Sequence, residues 1–105
     1  SAADQSDAEY NLKAQQLKLT ATVQAANITL VADYQALKLQ EANSVAARDA
    51  LQLAEERYRV GLNSLVDLQQ SRSAYETAEA GRINAVFEFH RAFAALESAV
   101  GRPLR

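Results

Sequence analysis

The sequence predicts an all-α fold, a long antiparallel αα-hairpin of the coiled-coil kind, and three observations carry the prediction. Residues 1–60 contain neither Gly nor Pro and consist largely of Ala, Leu, Gln, Glu, Lys and Arg, the residues that lose least on entering a helix. The first glycine, Gly61, follows directly on Leu53, Tyr58 and Val60, where a left-handed C-terminal cap favours a residue without a Cβ. On both sides of that glycine, apolar residues recur at alternating spacings of three and four, the period of helices that pack along a seam.

The elements follow in order. Residues 1–6 read as a disordered leader, and residues 7–60 as helix one, either a single helix or two whose junction no Gly or Pro marks. Residues 61–64 form the hairpin tip. Ser64 stands three residues before Asp67, the spacing at which a hydroxyl caps a backbone N–H and a carboxylate favours the positive helix start. Helix two therefore opens at Leu65 and covers residues 65–100, with Gly101 and Pro103 as stop signals and residues 101–105 as a tail. Gly81, inside helix two, costs about 1 kcal/mol relative to Ala and marks either a bend or a close backbone approach. A turn this short makes the helices antiparallel neighbours. At about 1.5 Å per residue the arms are unequal, roughly 80 Å and roughly 54 Å. The first ~18 residues either project beyond the hairpin or fold back near Gln15 to Thr22 as a third element.

Helix one carries two seams. One runs through Val23, Ala26, Leu30, Leu37, Ala47, Leu51, Ala54 and Tyr58, with Asp33, Gln40 and Ser44 as polar breaks. The other runs through Ala25, Ile28, Ala32, Leu39, Ala42, Ala46, Leu53 and Val60. Two residues are roughly 200° apart around a helix, so the seams lie on opposite flanks. Helix two has a seam at Leu68, Ser71, Tyr75, Ala78, Ala85, Phe89, Ala92, Leu96 and Ala99, and a further stripe of Val86, Phe93 and Val100. One partner helix covers one flank only. The closed way to cover both is a ring or barrel of helices, with Ile28, Leu39, Leu53 and Val60 as inter-hairpin packing residues and self-association of the chain as the expectation. The pattern does not decide which seam faces helix two.

Composition excludes several functions. The 105 residues, enough for one small domain, carry 11 Lys+Arg against 13 Asp+Glu, for a net charge of −2. No basic cluster marks a nucleic-acid binder. The absence of Cys removes disulfides, thiolate catalysis and Cys-bound metal. No stretch reaches the ~20 apolar residues of a membrane-spanning helix, and Ser1-Ala2-Ala3-Asp4 does not read as a secretory signal. No catalytic arrangement is recognisable, and neither a metal nor a cofactor is implied. The single histidine, His90, reads as a packing or surface residue. Glu55, Glu56, Arg57 and Arg59 read as a solvated charged face with pairs such as Glu55–Arg59. Glu79 reads as an exposed shaft position, and Tyr58, Tyr75, Phe87, Phe89 and Phe93 as core aromatics. The tip differs from these: Val60, Leu62, Leu65 and Val66 surround a turn too small to bury them all. They either knit the helix ends together or form an interaction surface.

The run from Ala54 to Leu68, Ala-Glu-Glu-Arg-Tyr-Arg-Val-Gly-Leu-Asn-Ser-Leu-Val-Asp-Leu, followed by an Ala-rich helix and the ending Ala95 to Leu104, resembles the C-terminal part of the TolC-like outer-membrane efflux family. The stretch Leu19 to Leu37 resembles the start of that family's second long periplasmic helix. The resemblance implies the second helical hairpin of a trimeric protein in which membrane β-strands continue into a periplasmic α-barrel. The chain would then be a periplasmic tunnel element of an outer-membrane protein of a Gram-negative bacterium. By the same resemblance the tip residues Val60, Gly61, Leu62, Asn63, Ser64 and Leu65 meet the hairpin of a periplasmic adaptor (membrane fusion) protein. Tyr58, Asp67 and Gln70 fall at aperture positions. The family's best-known member has an arginine two residues after the tip glycine and a second aspartate three residues after the first. This sequence has Asn63 and Gln70 there, so neither a gate built on that arginine nor a ring of paired acids is implied. Two readings of other classes compete, a free-standing coiled-coil scaffold and an interfacial lipid-binding helix. The second calls for one broad apolar face flanked by Lys and Arg, which two opposite seams with mixed charge do not supply.

Overall fold

Ser1 starts the first helix: its Oγ accepts the Asp4 N–H at 3.3 Å, and Asp4 places a negative charge in the first turn, where exposed N–H groups favour it. With no breaker before Gly61, propagation is uninterrupted, and α1 runs Ala2–Arg59 as one helix of 58 residues. Residues 2–6, expected as a disordered leader, are helical because this cap is present. The second helix, α2, runs Leu65–Val100 and ends at Gly101, whose φ of 74° supplies a left-handed cap. The computed structural model describes residues 1–101; Pro103 and the tail beyond Gly101 lie outside the described residues. Among the described residues there is no strand.

The molecule measures 89 × 23 × 13 Å. A helix of 58 residues is about 87 Å long, so α1 alone spans the long axis. The 36 residues of α2 span about 54 Å, leaving roughly 33 Å of α1 with no partner. The overhang projects; the alternative of a fold-back near Gln15 to Thr22 does not occur, and residues 1–22 are exposed throughout.

The structure also decides the seam. Val23, Ala26, Leu30, Leu37, Ala47, Leu51 and Ala54, with the breaks Asp33, Gln40 and Ser44, are all buried or half-buried, whereas Ala25, Ile28, Ala32, Leu39, Ala42, Ala46, Leu53 and Val60 are all exposed. Seam one faces α2. Its deepest points are Ala54 against the tip end and, on α2, Leu68 and Ala92, only 5–6% exposed. The small residues among them, Ala54 and Ala92, suit a close approach of the helix axes. Among the described residues no large side chain is fully buried, since a two-helix hairpin covers one face of each helix. Tyr34 of α1 reaches Phe89 of α2 with ring centroids 5.9 Å apart. Two aromatics expected in the core lie outside it: Phe87 points away from α1 and is 64% exposed, and Tyr58, the last residue of seam one, is 43% exposed because it lies at the open end of the hairpin. Gly81 marks no break in α2. A Cβ there would stand 2.7 Å from Gln40 Oε1, so the close approach is by a side chain of α1 rather than by its backbone.

Candidate functional site at the tip and outer flank

The turn is built by backbone and polar groups. Val60 caps α1, Gly61 takes a φ of 82°, and two hydrogen bonds close the helix end: Gly61 N–H to the Tyr58 carbonyl at 3.1 Å and Leu62 N–H to the Arg57 carbonyl at 2.7 Å. This pair of bonds is the Schellman arrangement, which satisfies carbonyls that the last turn leaves unpaired. An apolar contact normally joins the residue at the position of Leu62 to the one at Arg57 or Glu56. Neither of those is apolar, and Leu62 stays outside.

The α2 side is secured in the same way. Ser64 Oγ accepts the Asp67 N–H at 3.1 Å, and Asp67 Oδ2 accepts the Ser64 N–H at 3.5 Å, a reciprocal capping box. Asn63 turns inward, its Nδ2 donating to the Ala54 carbonyl at 3.2 Å. The side chains of Asn63 and Ser64, expected among the docking groups, are thus committed to the turn itself. Because polar groups do the knitting, the apolar ones are left free: Val60, Leu62, Leu65 and Val66 are between 51% and 68% exposed. No ionised side chain falls between Val60 and Leu65. Charges stand around this patch as a rim, where Arg59 pairs with Glu56 one turn before it rather than with Glu55. Tyr58, Asp67 and Gln70 are all exposed near the same end, with the Asp67 carboxylate shared with the cap.

The outer flank of α1 is the second exposed apolar surface. Ile28, Leu39, Leu53 and Val60 are between 54% and 69% exposed along it, and Val60 belongs to both surfaces. No helix among the described residues is long and apolar enough to cross a membrane. Among the described residues, no cluster of three or more His, Asp or Glu side chains comes together as a metal site would require. His90 is exposed, with its ring 5.9 Å from that of Phe89.

Midway along the shaft lies a polar layer that the pattern of apolar residues did not announce. Glu79 Oε2 accepts from Ser44 Oγ at 3.0 Å across the helix interface and from Arg82 Nε at 2.6 Å, and Glu79 Oε1 accepts from Tyr75 OH at 3.4 Å. The Arg82 hydrogen bond, followed by that of Ser44, holds the Glu79 carboxyl below its ordinary value of 4.5, and Glu79 in turn raises Arg82. Glu79 is therefore a half-buried junction, not the exposed shaft residue expected from the sequence. Counting outward from the turn would have found it, because Ser44 and Glu79 are nearly equidistant from the tip.

The model of a family described as outer membrane efflux protein matches residues 1–102. No curated protein and no solved structure matches the chain significantly.

Proposed function

We propose that this chain, which belongs to the outer membrane efflux protein family, is a periplasmic tunnel element of an outer-membrane efflux channel and that its tip docks to a periplasmic adaptor protein. The observation that carries the reading is the tip: four apolar side chains held outward by a turn that does not need them. A patch of that kind on a fixed backbone suits recognition by shape and apolar contact, with Arg57, Arg59 and Asp67 as a charged rim. Gly61 adds a place where another backbone can come close, since nothing stands within 4 Å of where its Cβ would be.

The flanks support the tunnel half of the reading. A hairpin with one seam spent on its own α2 and a second seam exposed calls for further helices beside it, and copies of the same protein arranged in a closed ring supply them without leaving an apolar edge. Covering a large side chain of that seam contributes about 1.5–3 kcal/mol, so Ile28, Leu39, Leu53 and Val60 are the inter-hairpin contacts. A homotrimer, in which each subunit contributes hairpins to one barrel, is the assembly this reading adopts. Tyr58, Asp67 and Gln70 then stand at the aperture end.

The test uses Leu62→Glu in the full-length efflux protein, because Leu62 contributes little to the turn beyond its backbone. The expected result is loss of export and of site-specific cross-linking between tip and adaptor, with normal amounts of channel in the outer membrane. Undiminished export and cross-linking would remove the docking role and leave a scaffold.

A further inference from the structure

α1 offers two seams to α2, and apolar content does not choose between them. Each has three polar interruptions: Asp33, Gln40 and Ser44 on the inner seam, and Gln35, Asp49 and Glu56 at the corresponding breaks of the outer one. The large residues are nearly matched, with Val23, Leu30, Leu37, Leu51 and Tyr58 on one side against Ile28, Leu39, Leu53 and Val60 on the other. Yet from Val23 to Ala54 the inner seam is covered and the outer one exposed.

The two seams differ in the level at which their polar residues fall. At mid-shaft, α2 presents a carboxylate, Glu79, and a position without a side chain, Gly81. The inner seam answers both: Ser44 Oγ donates to Glu79 Oε2 at 3.0 Å, and the Gln40 side chain fills the space over Gly81, with its Oε1 2.7 Å from where a Cβ would be. At the same levels the outer seam has Ala42 and Ala46. Those would give Glu79 no donor from across the interface, only Arg82 and Tyr75 of its own helix, and leave the space over Gly81 unfilled. A half-buried carboxylate that loses one of its three donors is less well satisfied, and a mismatched polar position inside a helix seam is a known means of specifying one pairing against another.

We infer that the polar layer of Ser44 and Gln40 against Glu79 and Gly81 is a seam selector: it fixes which face of α1 packs on α2 and so determines which apolar face remains outside. The Ser44 bond is suited to this because it joins the two shafts directly, whereas Lys38–Glu41, Arg59–Glu56 and Arg91–Glu88 are pairs within one helix. Arg82 and Tyr75 hold the Glu79 carboxylate in place from α2's own surface. The selection is a property of the hairpin and does not depend on what covers the outer flank.

The chain has no cysteine, so engineered pairs report the choice cleanly. Leu37→Cys with Ala85→Cys probes the inner seam, and Leu39→Cys with Ala85→Cys the outer one. Oxidation should close the first pair and not the second, read as an intramolecular cross-link on a non-reducing gel. With Ser44→Ala and Ala46→Ser introduced together, the hydroxyl moves to the outer seam at nearly constant helix propensity, and the outer pair should gain yield at the inner pair's expense. Glu79→Leu should reduce the inner preference, and Glu79→Gln, which keeps an acceptor, should restore it. If the relocated serine and Glu79→Leu both leave the inner pair dominant, the turn alone sets the rotation of α1 and the selector is refuted. Equal loss of preference with Glu79→Leu and Glu79→Gln would also refute it, since the hydrogen bond would then not be the cause.

Discussion

Replacing Gly61 by alanine isolates the contribution of backbone conformation to the tip. Gly61 has a φ of 82° and nothing within 4 Å of the place a methyl group would take, so steric conflict with neighbours is absent. What remains is the intrinsic cost of holding an L-residue in the left-handed region, about 1–2 kcal/mol. That corresponds to roughly a 5–30-fold drop in the folded-to-unfolded ratio. For a chain of about 100 residues, each 1 kcal/mol lowers the melting midpoint by about 4–8 °C. Asparagine, whose short side chain tolerates this region, should cost less than alanine, and valine more, since β-branching makes positive φ a true outlier. The order of midpoints should be Gly, Asn, Ala, Val from highest to lowest, measured by the helical circular dichroism band at one fixed protein concentration because association also stabilises. Equal midpoints for all four would show that the two bonds to Tyr58 and Arg57 do not depend on a left-handed residue, and the glycine cap would not be what closes the helix end.

Three further outcomes follow from the same geometry. Ser64→Ala removes the acceptor of the Asp67 N–H and should cost about 0.5–2 kcal/mol, with Ser64→Asp near wild type; thermal melts read both, and an unaffected Ser64→Ala would discount the cap. Leu68→Ala, at a site 6% exposed, should destabilise by about 2–5 kcal/mol, whereas Leu53→Ala, at 60% exposed, should stay within about 0.5 kcal/mol while lowering self-association in sedimentation; equal effects on unfolding would contradict the seam assignment. Glu79 is held below its ordinary value of 4.5, first by Arg82 and then by Ser44. Its contribution is therefore present above that value and is lost as pH falls through the lowered one. Melts on either side of this window should show acid destabilisation that is smaller in Glu79→Gln, and identical acid sensitivity of the two would argue against the network.

The hairpin was legible in the sequence because its determinants are local. A glycine after the last seam residue and Ser64 before Asp67 each act within one turn of helix, and the structure places both where those signals point. The overhang and the chosen seam were not legible, for different reasons. Whether residues 1–22 project depends on whether anything exists to fold back against, and α2 ends too early to serve. The choice of seam depends on matching across the interface, in which Ser44 on one helix acquires meaning only from Glu79 on the other. Glu79 itself looked exposed because a carboxylate on a helix shaft ordinarily faces solvent; its burial comes from α1. Asn63 misled in the opposite direction, since a polar residue at a tip suggests solvent or partner, yet its amide is used nine residues back at the Ala54 carbonyl.

At the tip and along the shaft, the same division of roles holds between polar and apolar groups. Polar groups specify the geometry: the cap bonds fix the turn, Asn63 ties it to α1, and the Ser44–Glu79 bond joins the two shafts. Apolar groups hold the hairpin together along the inner seam, and in the proposed assembly those at its surface make the contacts to neighbours. If the turn had been closed by an apolar contact from Leu62, as helix ends of this type commonly are, the tip would be as stable but would present less for a partner to bind. Arg57 and Glu56 at the two positions where that contact would be made are what keep Leu62 outside. Substituting Arg57 by leucine should therefore draw Leu62 inward, raise the melting midpoint and weaken docking together, whereas a change that acted only by removing the positive charge from the rim would leave the midpoint unchanged. Arg57→Gln separates the two, since it removes the charge without offering an apolar partner. Docking lost equally in Arg57→Leu and Arg57→Gln would show that the rim charge, rather than the outward position of Leu62, is what the partner reads.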